Sequence, residues 1–359
     1  MNKLVLALLA AILATLTGVV QADGFGRAFE PTEFAVLPDG VRFPEGIAAN
    51  PTTGDVYVGT FDFGPNRNAL LRFGRNGRLL AQKDMGSDPL LGLGLGPDGK
   101  LYVLNTGSLT GGHSRVQRIA ANFTNGTPAE DVALVPSIGA PAPRDVGNPD
   151  GSTDTIHFGS NGAPAPNGLV FDSAGNLYFS DSFQGAIFRI ANAASCSAPC
   201  AVTTVSHDPL LATAGFPPFG ANGLALSHDG TTMYIANTGD NRVLAMNMAS
   251  AAVSVFAESL HGADGLLLDS AGRLWVATNQ ADQLVALDGN GRPLFKVGDF
   301  EGIARDGSPR GFLFPASMAV ANGFMYVTNL ALPLTAKVGD EPEEDVTRWN
   351  VMRLRLRAD

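Results

Sequence analysis

Apolar residues fall in short runs of four to six, separated by Gly, Asp and Ser. Pro166 to Ile190, PNGLVFDSAGNLYFSDSFQGAIFRI, is the clearest example. Gly168–Phe171, Leu177–Ser180 and Ala186–Ile190 each predict a strand, with a tight turn at Asp172–Asn176. No i, i+3, i+4 spacing persists there, so the stretch does not predict a helix.

The same pattern recurs. Pro44, Leu90, Ala221, Ala263 and Pro315 each open a comparable run: an apolar strand, a Gly-containing turn, then a strand with Tyr or Trp. The third residue of the six copies is Gly46, Gly92, Gly168, Gly223, Gly265 and Ser317. Repeats of about 40–50 residues with four strands each predict an all-β, six-bladed β-propeller. Glu33–Leu37 precedes the first copy, and Val351–Arg357 follows the last without a successor. Pairing the two completes the sixth blade with the N-terminal strand and closes the ring.

Direction alternates from strand to strand. The long segments Pro136–Ala165, His207–Gly220, Asp299–Phe314 and Leu330–Trp349 therefore share one mouth of the ring. Long loops gathered on one face of a rigid scaffold mark the working face.

Composition adds the setting. Residues 1–22 read as a signal peptide, with Lys3 before an apolar stretch and small residues at Val20-Gln21-Ala22. The mature domain is then 23–359, periplasmic or secreted, with no membrane span after cleavage. In an oxidising compartment Cys196 and Cys200 are expected to form a disulfide. Asn122-Phe-Thr and Asn125-Gly-Thr are glycosylation sequons, meaningful in a eukaryotic secretory host. The net charge of −10 and the lack of a basic cluster argue against nucleic acid. A small-molecule substrate and a monomer are expected.

The candidate chemistry sits just before each repeated Gly. Around the ring that position holds Glu45, Leu91, Asn167, Asn222, Asp264 and Ala316. Two carboxylates and two amides converging on one axis suit a hard cation; calcium is expected, or another divalent ion. Glu45, Asn167, Asn222 and Asp264 are the expected metal ligands. His113 and His157, in loops of the working face, are candidate bases beside Asp264, and so is His261, just before the Asp264 motif. His228 falls on the opposite face. Asp181, Asn237, Asn279 and Asn329 end second strands and are expected to cap backbone groups, on a face that also suits contacts supporting the metal ligands.

PEG, PNG, ANG and ADG at the heads of four blades resemble the senescence marker protein/gluconolactonase (regucalcin-like) family, related to paraoxonases and diisopropyl fluorophosphatase. The resemblance spans Pro44 to Asn329. It implies a six-bladed propeller with a catalytic calcium held by Glu45, Asn167, Asn222 and Asp264. It also implies hydrolysis of lactones or phosphotriesters, with Asp264 as base or nucleophile. The chain departs at Leu91, often polar in the family and His in paraoxonases, and at Asn105, where paraoxonases carry a second His. These departures leave room for a smaller or more apolar substrate. Three functions follow: a calcium-dependent hydrolase of lactones or related esters, a non-catalytic calcium-stabilised binding or scaffold propeller, or a propeller catalysing another reaction such as condensation or isomerisation.

Overall fold

A computed structural model describes residues 29–64, 66–108, 113–158, 162–335 and 337–356. The expected signal peptide lies outside the described residues. The described strands form six four-stranded antiparallel sheets and two two-stranded hairpins. The inner strands are Pro44–Ala49, Leu90–Leu95, Pro166–Phe171, Ala221–Leu226, Ala263–Leu268 and Pro315–Ala321. Each packs against the next, and the sixth packs against the first. This is the expected six-bladed propeller.

Blade six is built from both chain ends. Thr32–Val36 pairs with Asn350–Arg355, which lies beside Phe324–Asn329 and then Pro315–Ala321. Glu33 lies opposite Met352 and Ala35 opposite Val351. The Phe34 ring meets Tyr326 edge-on at 4.7 Å, so the N-terminal strand is packed as well as hydrogen-bonded.

Second strands are the most apolar because both their faces are covered. Val56–Thr60, Leu177–Asp181 and Leu274–Thr278 are buried at every residue. Their side chains fill the seams between blades. Tyr102 and Leu104 of blade two meet Phe179 and Phe188 of blade three, and Trp275 of blade five meets Met325 and Val327 of blade six. A buried ring of this kind contributes about 3–5 kcal/mol, judged by truncation to Ala. Outer strands such as Val202–Ser206 are half exposed and correspondingly polar.

The turns between first and second strands follow from Asp and Gly. Asp172 Oδ1 accepts from the amides of Ala174 and Asn176, and Gly175 takes φ +81°. Asp269 repeats this with Ala271 and Arg273, and Gly272 takes φ +79°. Between the third and fourth strands of blade three, Cys196 and Cys200 form the expected disulfide, with Cα atoms 5.8 Å apart.

The four long segments carry structure of their own. Pro136–Ala165 contains a hairpin, Arg144–Gly147 with Thr153–Ile156; Asp299–Phe314 contains another, Phe300–Ile303 with Pro309–Gly311. His207–Gly220 and Leu330–Trp349 each hold one 3-10 turn. Asp181, Asn237 and Asn329 tie three of these segments to the ends of second strands, as expected of backbone caps. Asp181 accepts from the Ala165 amide, Asn237 donates to the Leu210 and Ala212 carbonyls, and Asn329 accepts from the Leu313 amide.

Candidate functional site

In all six blades the pairing of inner and second strands slips between the first and fourth residues of the inner strand. Residues two and three lie inside that irregularity. Bulges of this kind re-aim a side chain. Here the re-aimed side chain is the one before the repeated Gly.

The Gly itself answers a close approach between blades. A Cβ on Gly46 would stand 1.9 Å from the Leu91 carbonyl oxygen, and one on Gly168 would stand 2.4 Å from that of Asn222. Each such Gly receives the backbone of the next blade's axial residue, as only glycine can. Ser317 breaks the series at the seam between blades six and one. There the Glu45 carbonyl accepts from the Thr328 hydroxyl at 2.8 Å, as the Asn222 carbonyl beside Gly168 accepts from Ser180 at 2.6 Å.

Glu45, Asn167, Asn222 and Asp264 are all at most 5% exposed and line one cavity of about 420 Å³ at the mouth. Leu91 joins them from blade two, and Thr238 and Asn279 complete the polar floor. The wall is apolar: Phe61, Phe219, Phe314, Leu330, Leu332 and Leu334 with Pro217. Three of the four long segments contribute to it.

The floor carries an unresolved conflict of charge. Burial pushes the Asp264 carboxyl up to about 7, against hydrogen bonds from Asn279 and Asn222 that favour the anion. Glu45 is also raised, first by burial and then by the neighbouring charge of Asp264. Glu45 Oε2, Asp264 Oδ1 and Asn279 Oδ1 are buried without a hydrogen-bond partner. Among the described residues the lining contains no Lys, Arg or His.

A hydrogen-bonded relay runs through blades three, four and five. Asn167 Nδ2 donates to Ser182 Oγ at 3.0 Å, and Ser182 Oγ donates to the Ala221 carbonyl at 2.7 Å. Asn222 Nδ2 donates to Thr238 Oγ1 at 2.9 Å, and Thr238 Oγ1 donates to the Ala263 carbonyl at 2.7 Å. Asn279 Nδ2 donates to Asp264 Oδ2 at 3.1 Å. A hydroxyl has one hydrogen. Ser182 and Thr238 give theirs to a carbonyl, so each must accept from its asparagine. The amide nitrogens therefore face the hydroxyls, and the amide oxygens are left for the cavity.

Ser182 and Thr238 were not legible as site residues from sequence reasoning centred on the inner strands. Their signal is a second repeat: Asp181-Ser182, Asn237-Thr238 and Thr278-Asn279 occupy one position after the second strands. In blade two the same place is Asn105-Thr106. With Leu91 present there is no amide to hold, and Thr106 Oγ1 donates to the Pro89 carbonyl.

The structure does not bring the candidate histidines to this cavity. His113, His157 and His261 are exposed and lie outside its lining. His113 takes φ +69°, and its carbonyl accepts from Arg115. His228 Nε2 lies 3.0 Å from the Asp269 carbonyl oxygen, away from this mouth.

Residues 165–298, which hold Asn167, Asn222 and Asp264, match the sequence model of the SMP-30/gluconolactonase/LRE-like region. No curated protein sequence matches the chain. Among solved structures, a luciferin-regenerating enzyme is similar at TM-score 0.59 and 15% identity, over 89% of this chain and 95% of its own. A gluconolactonase from Xanthomonas campestris is similar at 0.55 and 14%, over 92% and 90%. A calcium-binding regucalcin from Agrobacterium tumefaciens str. C58 is similar at 0.54 and 15%, over 91% and 97%. The likeness is one of fold at these identities. By sequence over 165–298 and by fold over some nine-tenths of its length, the chain resembles the SMP-30/gluconolactonase/LRE-like proteins.

Proposed function

We propose that this chain is a calcium-dependent hydrolase of lactones or related esters, working in a periplasm or outside the cell. One observation carries the reading. Two buried carboxylates with unpartnered oxygens face one cavity, together with two amide oxygens held toward it by the relay.

The residues fit a hard dication. Glu45 and Asp264 would balance its charge, and Asn167 and Asn222 would add neutral oxygen donors. Among the described residues no three His, Cys, Asp or Glu cluster as a metal site, so the fit rests on amide oxygens as much as carboxylates. Calcium bound there supplies a Lewis acid for an ester carbonyl.

The remaining chemistry falls to the chain. With no imidazole in the lining, Asp264 is the proton acceptor, held by Asn279 so that its other oxygen faces the cavity. Water attacks the carbonyl carbon as Asp264 takes its proton. The ring C–O bond then breaks, and the proton passes to the leaving alkoxide to give a hydroxy acid. The apolar wall keeps bulk water from the floor. A non-catalytic calcium-stabilised binding protein is the competing reading; the open space beside the floor favours chemistry.

A panel of lactones with and without chelator tests the reading. At least one should be hydrolysed, with turnover lost on chelation and restored by calcium. Chelator-insensitive turnover, or wild-type protein that binds no calcium, would overturn it.

The relay makes a separate prediction. Thr238→Val keeps the shape but removes the hydroxyl that orients Asn222, so calcium affinity should fall about tenfold. Thr238→Ser should restore it. Calorimetric titration of the two variants is the check.

A further inference from the structure

Above its polar floor the cavity offers almost nothing to hydrogen-bond a substrate. Phe61, Phe219, Phe314, Leu332 and Leu334 form the wall, and Leu91 intrudes into the ring of axial residues. Among the described residues no Lys, Arg, His, Ser or Tyr lies in the lining. Each floor amide already spends one of its two N–H groups: Asn167, Asn222 and Asn279 donate to Ser182, Thr238 and Asp264. A polyhydroxylated lactone would bring several hydroxyls into this space with few groups to receive them. Each hydroxyl left unpaired lowers affinity by about tenfold.

The wall is built rather than incidental. Phe219 packs against both Phe61, at 6.1 Å between ring centroids, and Phe183, at 5.2 Å. Glu341 Oε2 accepts from the amides of Leu334 and Thr335 and so fixes the strip that carries the leucines. The apolar track also reaches the surface. Phe61 meets Phe63 edge-on at 5.3 Å, and Phe63 is 60% exposed.

We infer that the substrate is a lactone or ester bearing one apolar substituent, an alkyl chain or an aryl ring. That group lies on Phe61, Phe219, Leu332 and Leu334 while the carbonyl rests on the polar floor. This inference rests on the hydrolase reading above and narrows its substrate class away from sugar lactones.

The test has two arms. In the first, kcat/KM is measured for γ-lactones whose side chain grows from none to six carbons, beside glucono-1,5-lactone. The value should rise about fourfold per methylene, as expected of burying CH2 groups, until the chain outgrows the cavity. The sugar lactone should be the poorest substrate. In the second, the matching alkyl lactams, which resist hydrolysis, are titrated by calorimetry into wild type and Leu334→Asn. Affinity should climb with chain length in wild type and less steeply in the variant, with calcium affinity equal in both. Equal or better use of the sugar lactone, or lactam affinity independent of length, overturns the inference. Length-dependent lactam binding without turnover of any lactone would overturn the hydrolase reading and support the apolar subsite.

Discussion

Asp264→Asn is expected to keep the propeller and lose hydrolysis by about 10²–10⁴-fold, the usual worth of a positioned base. The amide is nearly isosteric, so burial at the floor is preserved. Its orientation is not free. Asn279 Nδ2 donates to Asp264 Oδ2. An Asn at 264 must meet that donor with its single oxygen, which turns its own nitrogen toward the cavity. The floor loses a base and an oxygen donor together. Glu45→Gln, which removes a charge, should weaken calcium binding by about 10–100-fold. His113→Ala should change turnover by no more than about twofold, since His113 is exposed and outside the lining. Circular dichroism, calcium calorimetry and lactone turnover on the three variants check this. Full activity in Asp264→Asn would refute the assignment.

With calcium chelated, stability should fall as pH rises from 5 to 8. The Asp264 carboxyl is raised from 3.8 to about 7, and Glu45 is raised as well. The folded state therefore holds these protons more tightly than the unfolded chain does. That contribution is fully present below about pH 4 and is lost as pH climbs through about 7. For Asp264 the rise corresponds to roughly 4 kcal/mol. The roughly two-thirds of it lost between pH 5 and 8 should lower Tm by about 3–5 °C. Calcium relieves the same repulsion without a proton, so its presence should flatten the curve. Asp181, raised to about 6 by burial, adds a slope of the same sign with or without calcium. Only the calcium-sensitive part belongs to the floor. Scanning calorimetry at several pH values, with calcium and with chelator, reads the difference directly; superimposable curves would sink the prediction.

Much of this site was legible in the chain. The inner strands begin at Pro44, Leu90, Pro166, Ala221, Ala263 and Pro315, as the repeats indicate. They are legible because the Gly two residues on is dictated by the carbonyl of the next blade, which marks the register in every copy but the last. Glu45, Asn167, Asn222 and Asp264 then align by symmetry. The closing strand was legible because one strand at each end lacked a partner.

The rest depends on contacts between blades. Ser182 and Thr238 share a repeated place at the ends of second strands, but the carbonyls that define their role lie 39 and 25 residues away. The apolar wall is assembled from the tips of separate segments, so Phe219, Phe314 and Leu334 look like ordinary loop residues until the ring gathers them. Strand alternation told which mouth His113 and His157 face, but not how far from the axis they lie. The hairpins at Arg144–Gly147 and Phe300–Ile303 are short and largely exposed, and they lack the apolar runs that announced the blades.

Blade six takes one strand from the start of the chain and three from its end. During synthesis, then, the circle stays open until Asn350–Arg355 has emerged and can clasp Thr32–Val36. Glu45 belongs to the first blade made and leans on Thr328 of the last. A message cut short by a few dozen codons would leave five blades' worth of sequence intact and still deprive Glu45 of its neighbour. Seating the earliest-translated of the four floor residues therefore calls on a strand near the far end of the sequence.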